Sequence, residues 1–167
     1  MTRANPHDPG RTAERDVVLS IWLPAGLLAL SRGLTIPVVP LFALSFDVSY
    51  GLVGLVLAAE GLGTLVFDVP AGVAIRRFGH RMPMLVGGVV IVASSLALAW
   101  ARSLPEALVY RLVSGMGMAL WNISRHTYVA ETVRIQRRGR TNAVMGGIGR
   151  IAGFVGPAIG GLLAKAF

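Results

Sequence analysis

The sequence contains no cysteine, which excludes disulfide bonds and thiolate metal sites and leaves the redox compartment undetermined. Charged residues make up only 14% of its 167 residues, whereas soluble domains contain about a quarter. The three histidines lie far apart, without metal-ligand spacing, and no Ser-His-Asp order or carboxylate pair falls within one plausible pocket. These absences predict no metal site, no cofactor and no catalytic centre, and they argue against an enzyme.

Apolar residues dominate what remains. They make up 54% of the chain, and the mean hydropathy is +0.66. A soluble protein this apolar would need a larger core than its length can enclose, so the composition predicts an all-α integral membrane protein. The net charge of +8 would suggest nucleic-acid binding in a soluble chain. Here the arginines cluster in short loops between apolar runs, so membrane topology accounts for them and no nucleic-acid partner is predicted.

Five apolar runs are long enough to cross a lipid bilayer as helices, namely residues 17–42, 50–75, 82–101, 104–130 and 141–167. The polar residues 1–16 precede this predicted bundle (17–167) and are expected to form a disordered tail. The tail carries three basic residues and loops 76–81 and 131–140 carry three and four, whereas only Arg102 and Lys165 lie on the other side. By the positive-inside rule the tail and both loops are cytoplasmic. We therefore predict a multi-pass inner-membrane protein with a cytoplasmic amino terminus.

The first basic loop carries a recognisable pattern, D-V-P-A-G-V-A-I-R-R-F-G-H-R, from position 68 to position 81. It resembles the signature loop between the second and third helices of the major facilitator superfamily, G-x-L-A-D-R-x-G-R-[RK]-x-x-L. Arg76 stands where the family has an aspartate, and His80 replaces an arginine, which alters the usual geometry. The resemblance implies a conformational latch whose residues in this chain are Asp68, Gly72, Arg77, Gly79 and Arg81.

Two further patterns resemble the same family. The run R-L-V-S-G-M-G from Arg111 is similar to the fourth-helix pattern R-x-x-q-G-x-g, which links Arg111 to proton coupling near the central cavity; a structural arginine is the alternative. The run A-G-F-V-G-P-A-I-G-G resembles the antiporter pattern of the fifth helix. That second resemblance implies a kinked, closely packed helix through the matching residues Gly156, Pro157, Gly160 and Gly161.

The charged residues inside the predicted spans suggest a pathway through the membrane. Arg32 and Glu60 each lie about 22 Å from the inner end of their helices, at ~1.5 Å per residue. We predict that they pair, or share a proton or substrate charge, and a static pair that holds two helices in register is the alternative. Arg111 and Asn122 recur on one face of the fourth span, with Asn122 at the inner mouth of the cavity. The predicted substrate and proton pathway is therefore Arg32, Glu60, Arg111 and Asn122.

The resemblances together imply a polytopic helix bundle that is the incomplete amino-terminal half of a major facilitator fold. Five of the usual twelve or more helices are present, so a missing carboxy-terminal half is expected as a partner. The implied function is secondary active transport, with proton-coupled efflux of a small organic molecule. A truncated, non-transporting membrane protein or an interaction subunit is the first alternative. A membrane-embedded enzyme is the second, although the clustered aspartates or His-acid set that it needs are absent from the sequence.

Overall fold

The protein is described by a computed structural model that covers residues 23–133 and 135–166. All regular structure in these residues is helical, which confirms the all-α prediction. The predicted tail, residues 1–16, lies outside the described residues. The five helices are α1 (Leu23–Leu44), α2 (Tyr50–Phe78), α3 (Arg81–Ala99), α4 (Leu104–Thr132) and α5 (Ile135–Ala166).

The two basic connections are shorter than the loops expected from the sequence. The predicted loop 76–81 is helical up to Phe78, and the turn consists of Gly79 and His80. Gly79 has a φ of 72°, a left-handed value that glycine adopts without a steric penalty. The predicted loop 131–140 is helical again from Ile135. Arginine is a good helix former, so arginine-rich segments continue the helices instead of forming open loops.

Among the described residues, four helical segments are long and apolar enough to cross a membrane. They are Ala25–Leu44, Tyr50–Phe78, Arg81–Ala99 and Arg138–Leu162. The helix α4 does not meet this criterion, although the sequence predicts a span there. Ten of its residues are buried, and it packs against both α2 and α3. Ser114 and Ser124 are buried and the side chain of Arg111 is only 14% exposed. The polar groups in the middle of α4 are therefore sheltered by other helices, which is the usual position of charged groups in membrane proteins.

The described chain divides into two compact units. One unit contains residues 37–138, in which Val39 and Ala43 of α1 and Val53 and Val56 of α2 form a buried apolar cluster. Leu104 and Leu108 of α4 pack against it. In the same unit α3 crosses α4 at a glycine pair, because a Cβ on Gly87 would lie 2.7 Å from the carbonyl oxygen of Gly117. Such close backbone contact is typical of helix packing in membranes, where small residues let helices approach.

The other unit contains the residues up to 36 and those from 139 onward. Within it, α1 and α5 touch at Gly33 and Gly156. A Cβ on Gly33 would lie 3.0 Å from the Cα of Gly156, and a Cβ on Gly156 would lie 2.8 Å from the backbone nitrogen of Leu34. Any side chain at either position would therefore force the two helices apart.

Candidate functional site

The candidate site lies where α2 crosses α4. Two glycines, one from each helix, set the separation of the backbones. A Cβ on Gly63 would lie 3.0 Å from the carbonyl carbon of Leu112, and a Cβ on Gly115 would lie 2.9 Å from the carbonyl carbon of Glu60 and 2.9 Å from the backbone nitrogen of Thr64. Real Cβ atoms do not approach backbone this closely. The crossing therefore depends on glycine at both positions.

An ion pair lies beside this crossing. Oε2 of Glu60 contacts Nη2 of Arg111, and the two side chains are only 10% and 14% exposed. An ionised carboxylate or guanidinium in a low-dielectric interior is costly unless it is paired. Each member therefore stabilises the charge of the other, and the pair joins α2 to α4 at the position where their backbones are closest.

The hydroxyl of Thr64 adds a polar contact between the two helices at this crossing. Thr64 Oγ1 lies 2.9 Å from the backbone carbonyl oxygen of Glu60 and 3.1 Å from that of Gly115. It donates its one proton to a carbonyl within its own helix or to one on the facing helix. The crossing thus brings a buried carboxylate, a largely buried guanidinium and a hydroxyl to one place.

The structure gives Glu60 a partner on α4. Glu60 contacts Arg111, a contact that is separate from the expected pairing of Glu60 with Arg32. The Arg32–Glu60 contact therefore stays a prediction. The sequence analysis names both Glu60 and Arg111 but does not join them. A signal was available, since Gly63 follows Glu60 by three residues and Gly115 follows Arg111 by four.

The polar stripe along α2 does not stay on one face. Glu60 is buried, Thr64 is half-buried and Asp68 is exposed. A spacing of four residues rotates each member by about 40° relative to the last, because the helix has 3.6 residues per turn. Only the first two members therefore reach the crossing with α4. On α4, Asn122 is half-buried, and its role in the pathway stays a prediction.

The turn between α2 and α3 contacts the end of α4. Nδ1 of His80 lies 3.0 Å from Oε2 of Glu131, and the ring of His80 meets that of Tyr128 edge-on at 5.0 Å. In the sequence, His80 is marked only by its departure from the family pattern. The family-derived latch includes Arg77 and Arg81, which are exposed, and its action as a latch stays a prediction.

The remaining latch and packing residues occupy different environments. Gly72 is half-buried on α2 with open space beyond its Cα, and Gly161 on α5 also faces open space. Gly156 and Gly160 are buried, whereas Pro157 is half-buried within α5. The kink predicted at Pro157 remains a prediction. No group of three or more histidine and carboxylate residues within metal-binding reach occurs in the described part of the chain.

Comparison with known proteins places the chain among membrane carriers. The sequence model of the Major Facilitator Superfamily matches residues 21–167. Multidrug resistance protein 1 of Bacillus subtilis is 24% identical over 153 residues, which cover 91% of this chain and 39% of that protein. Multidrug resistance protein MdtH of Aeromonas salmonicida is 32% identical over 114 residues, covering 68% of this chain and 28% of that protein. Solute carrier family 2, facilitated glucose transporter member 10, of Mus musculus is 35% identical over 112 residues, which cover 67% of this chain and 20% of that protein.

The chain spans well under half the length of these relatives, between 20% and 39% of each. The family match and the four apolar helices make it a multi-pass membrane protein and support a transport protein over an enzyme. The match covers nearly the whole sequence and includes every helix on which the three resembling patterns lie. The chain therefore belongs to the Major Facilitator Superfamily.

Proposed function

We propose that this chain is the amino-terminal part of a secondary active transporter that exports a small organic molecule in exchange for protons. The observation that carries the proposal is the buried ion pair of Glu60 and Arg111 at the glycine crossing of α2 and α4. Buried charges in membrane proteins are costly and mark pathways for ions, protons or substrates. The pair is therefore our candidate for the coupling centre of the bundle.

Protonation of Glu60 supplies the coupling step. A proton on the carboxylate removes the negative charge that balances Arg111, so the guanidinium then needs another anionic or polar partner. Two states of the site differ in charge, and a gradient that favours one of them shifts the balance between two conformations of the bundle. Thr64 is positioned to follow this change, since its hydroxyl has an acceptor on each helix.

The direction of transport and the substrate class rest on the relatives. Two of the three described above are named multidrug resistance proteins, and the third is named a glucose transporter. The first two names support export, and all three are consistent with a small organic substrate. The antiporter-type pattern on α5 adds to the case for proton exchange. These inferences rest on likeness between sequences, because a shared fold does not by itself establish a shared function.

The orientation in the membrane rests on the arginines. Arg76, Arg77 and Arg81 flank the turn between α2 and α3, and loop 131–140 carries four more bases. We propose that both connections face the cytoplasm, together with the amino terminus. The host membrane would be the inner cell membrane, across which a proton gradient is available.

The test is proton-driven export by the full-length transporter of which we propose this chain to be the amino-terminal part. Everted membrane vesicles would be energised and offered a panel of lipophilic cationic dyes. We expect the vesicles to accumulate at least one dye, and Glu60→Gln to abolish accumulation driven by the proton gradient. Glu106→Gln is the matched control, because Glu106 is an exposed acid in the first turn of α4. Accumulation with unchanged rate and pH dependence in Glu60→Gln vesicles would remove Glu60 from coupling.

A second measurement separates coupling from a static role. In vesicles without a proton gradient, labelled dye can still exchange across the membrane. This exchange needs the change between the two conformations of the bundle but no net proton transfer. If Glu60 couples protons, Glu60→Gln keeps this exchange while losing driven accumulation. Loss of both activities together would show that the pair with Arg111 only holds α2 and α4 in register. Absence of accumulation by the unaltered full-length transporter would contradict export of this class of substrate.

A further inference from the structure

An apolar groove runs along the outer side of α3, where Trp121 of α4 forms part of its wall. The groove encloses about 460 Å³, and its main contacts are Met84, Leu85, Gly88, Val92, Leu96 and Trp121. Its lining is almost entirely apolar, and several lining side chains are more than half exposed. Since α3 is one of the membrane-spanning candidates, a groove of this kind opens towards lipid.

The groove is long enough to hold an acyl chain from one leaflet of a bilayer. Its lining residues on α3 extend from Met84 to Leu96, a distance of about 18 Å at 1.5 Å per residue. The hydrocarbon part of one leaflet is roughly 15 Å thick, half of the ~30 Å core. The groove begins one helical turn after Arg81 and ends close to the last turn of α3, so it covers the depth of the leaflet on the Arg81 side and continues past the bilayer centre.

The end of the groove carries positive charge. Arg81 is the first residue of α3, is exposed, and lies on the same face as Met84 and Leu85 because residues three and four apart are neighbours. Arg76 and Arg77 are exposed at the end of α2, and the first turn of α3 contains no acid. The nearby Glu131 contacts His80. Basic clusters of this kind attract the anionic headgroups of the cytoplasmic leaflet.

Gly88 creates the depth of the groove. A Cβ on Gly88 would lie 3.8 Å from Cε3 and Cζ3 of Trp121, so the missing side chain leaves this edge of the indole ring at the floor of the groove. Trp121 itself is only 7% exposed. A methyl group would fit in ordinary contact with the ring, whereas a leucine would occupy the space itself.

We propose that this groove binds an acyl chain of an anionic phospholipid from the cytoplasmic leaflet, whose phosphate lies at Arg81. The apolar wall and its length suit the acyl chain of such a lipid, and the basic end suits its phosphate. An acyl chain of a lipid without an anionic headgroup would contact only the apolar wall and would gain nothing from Arg81. This site is separate from the ion pair of Glu60 and Arg111 and does not depend on transport.

Trp121 reports directly on occupancy. The substitutions Trp22→Phe and Trp100→Phe leave it as the only tryptophan of the chain. The protein would be reconstituted in phosphatidylcholine vesicles that contain either brominated phosphatidylglycerol or brominated phosphatidylcholine at equal mole fraction. Bromine on the acyl chain quenches indole fluorescence on contact. We expect stronger quenching by the phosphatidylglycerol, and half-maximal quenching at a lower mole fraction.

Variants assign the preference to the groove. Arg81→Gln should make the two lipids quench equally, whereas Arg102→Gln, an exposed arginine beyond the other end of α3, should keep the preference. Gly88→Leu should lower quenching by both lipids, and Gly88→Ala should have a smaller effect. Gly54→Leu is the control for bulk, since nothing lies within 4 Å of a Cβ at that position on α2. Circular dichroism would confirm that each variant keeps its helices.

Three outcomes would overturn the proposal. Equal quenching by both lipids in the protein with unaltered Arg81 and Gly88 would mean ordinary boundary lipid. Quenching that is unaffected by Gly88→Leu would place the chain outside the groove. Quenching by neither lipid would mean that protein covers the groove, either a second copy or another helix.

Discussion

The substitution Gly115→Ala tests the geometry of the α2–α4 crossing most directly. The new Cβ would lie 2.9 Å from both the carbonyl carbon of Glu60 and the backbone nitrogen of Thr64. These are backbone atoms of a facing helix, so no side-chain rotation can relieve the overlap. The helices must separate, and this movement stretches the contact between Thr64 Oγ1 and the carbonyl oxygen of Gly115, which is 3.1 Å in the native chain.

The magnitude follows from three effects. Alanine in place of glycine stabilises a helix by about 1 kcal/mol. Forcing an extra carbon into a packed interface costs about 1–3 kcal/mol, and loss of one hydrogen bond costs about 0.5–1.5 kcal/mol. We therefore expect Gly115→Ala to lower the free energy of unfolding by roughly 1–3 kcal/mol.

Gly61→Ala is the matched control on α2. Nothing lies within 4 Å of a Cβ at Gly61, so this variant keeps only the gain in helix propensity, up to about 1 kcal/mol. Both variants replace a helical glycine by alanine, and they differ only in the atoms that surround the new Cβ. Their free energies of unfolding should therefore differ by roughly 2–4 kcal/mol.

The assay is equilibrium unfolding of the protein in lipid bicelles by added dodecyl sulfate, followed by circular dichroism. Both variants and the parent would be measured at the same lipid composition, so that changes in the midpoint reflect the protein. Free energies for Gly115→Ala and Gly61→Ala that agree within about 0.5 kcal/mol, the spread usual for independent sites, would refute the glycine crossing.

The ion pair, the second glycine contact and the end of α4 provide three more predictions. Glu60→Leu should lower the free energy of unfolding by about 3–5 kcal/mol because it removes the carboxylate that pairs with the buried Arg111. The double variant Glu60→Leu/Arg111→Met should lose less stability in the same unfolding assay. Additive losses would contradict the pairing. Gly156→Ala should lower the unfolding midpoint while Gly153→Ala, which faces open space, should not; equal midpoints would exclude close α1–α5 contact. Arg138→Ala removes the donors to two carbonyl oxygens at the end of α4, which should lower the free energy of unfolding by about 1.5–3 kcal/mol. Amide hydrogen exchange in the last turn of α4 should become faster. Unchanged exchange would show that Arg138 does not stabilise this helix end.

The fold class and the family could be predicted because they depend on local properties of the chain. The length of an apolar run determines whether it can cross a bilayer, and three short patterns lie on the second, fourth and fifth helices in family order. Helix ends were less accurate. The expected loop 131–140 is largely helical, because arginine-rich segments satisfy their own backbone hydrogen bonds as helix and need no apolar partner.

The sequence by itself determined that this protein is a helical membrane protein of one superfamily, and it named Glu60 and Arg111 as buried charges. Only the tertiary structure decided that these two contact each other and that Asp68, eight residues along α2, points outward. The partner of a buried charge depends on where two helices cross. That crossing is determined by contact between Gly63, Gly115 and the facing backbones, residues so far apart in the chain that no local pattern relates them.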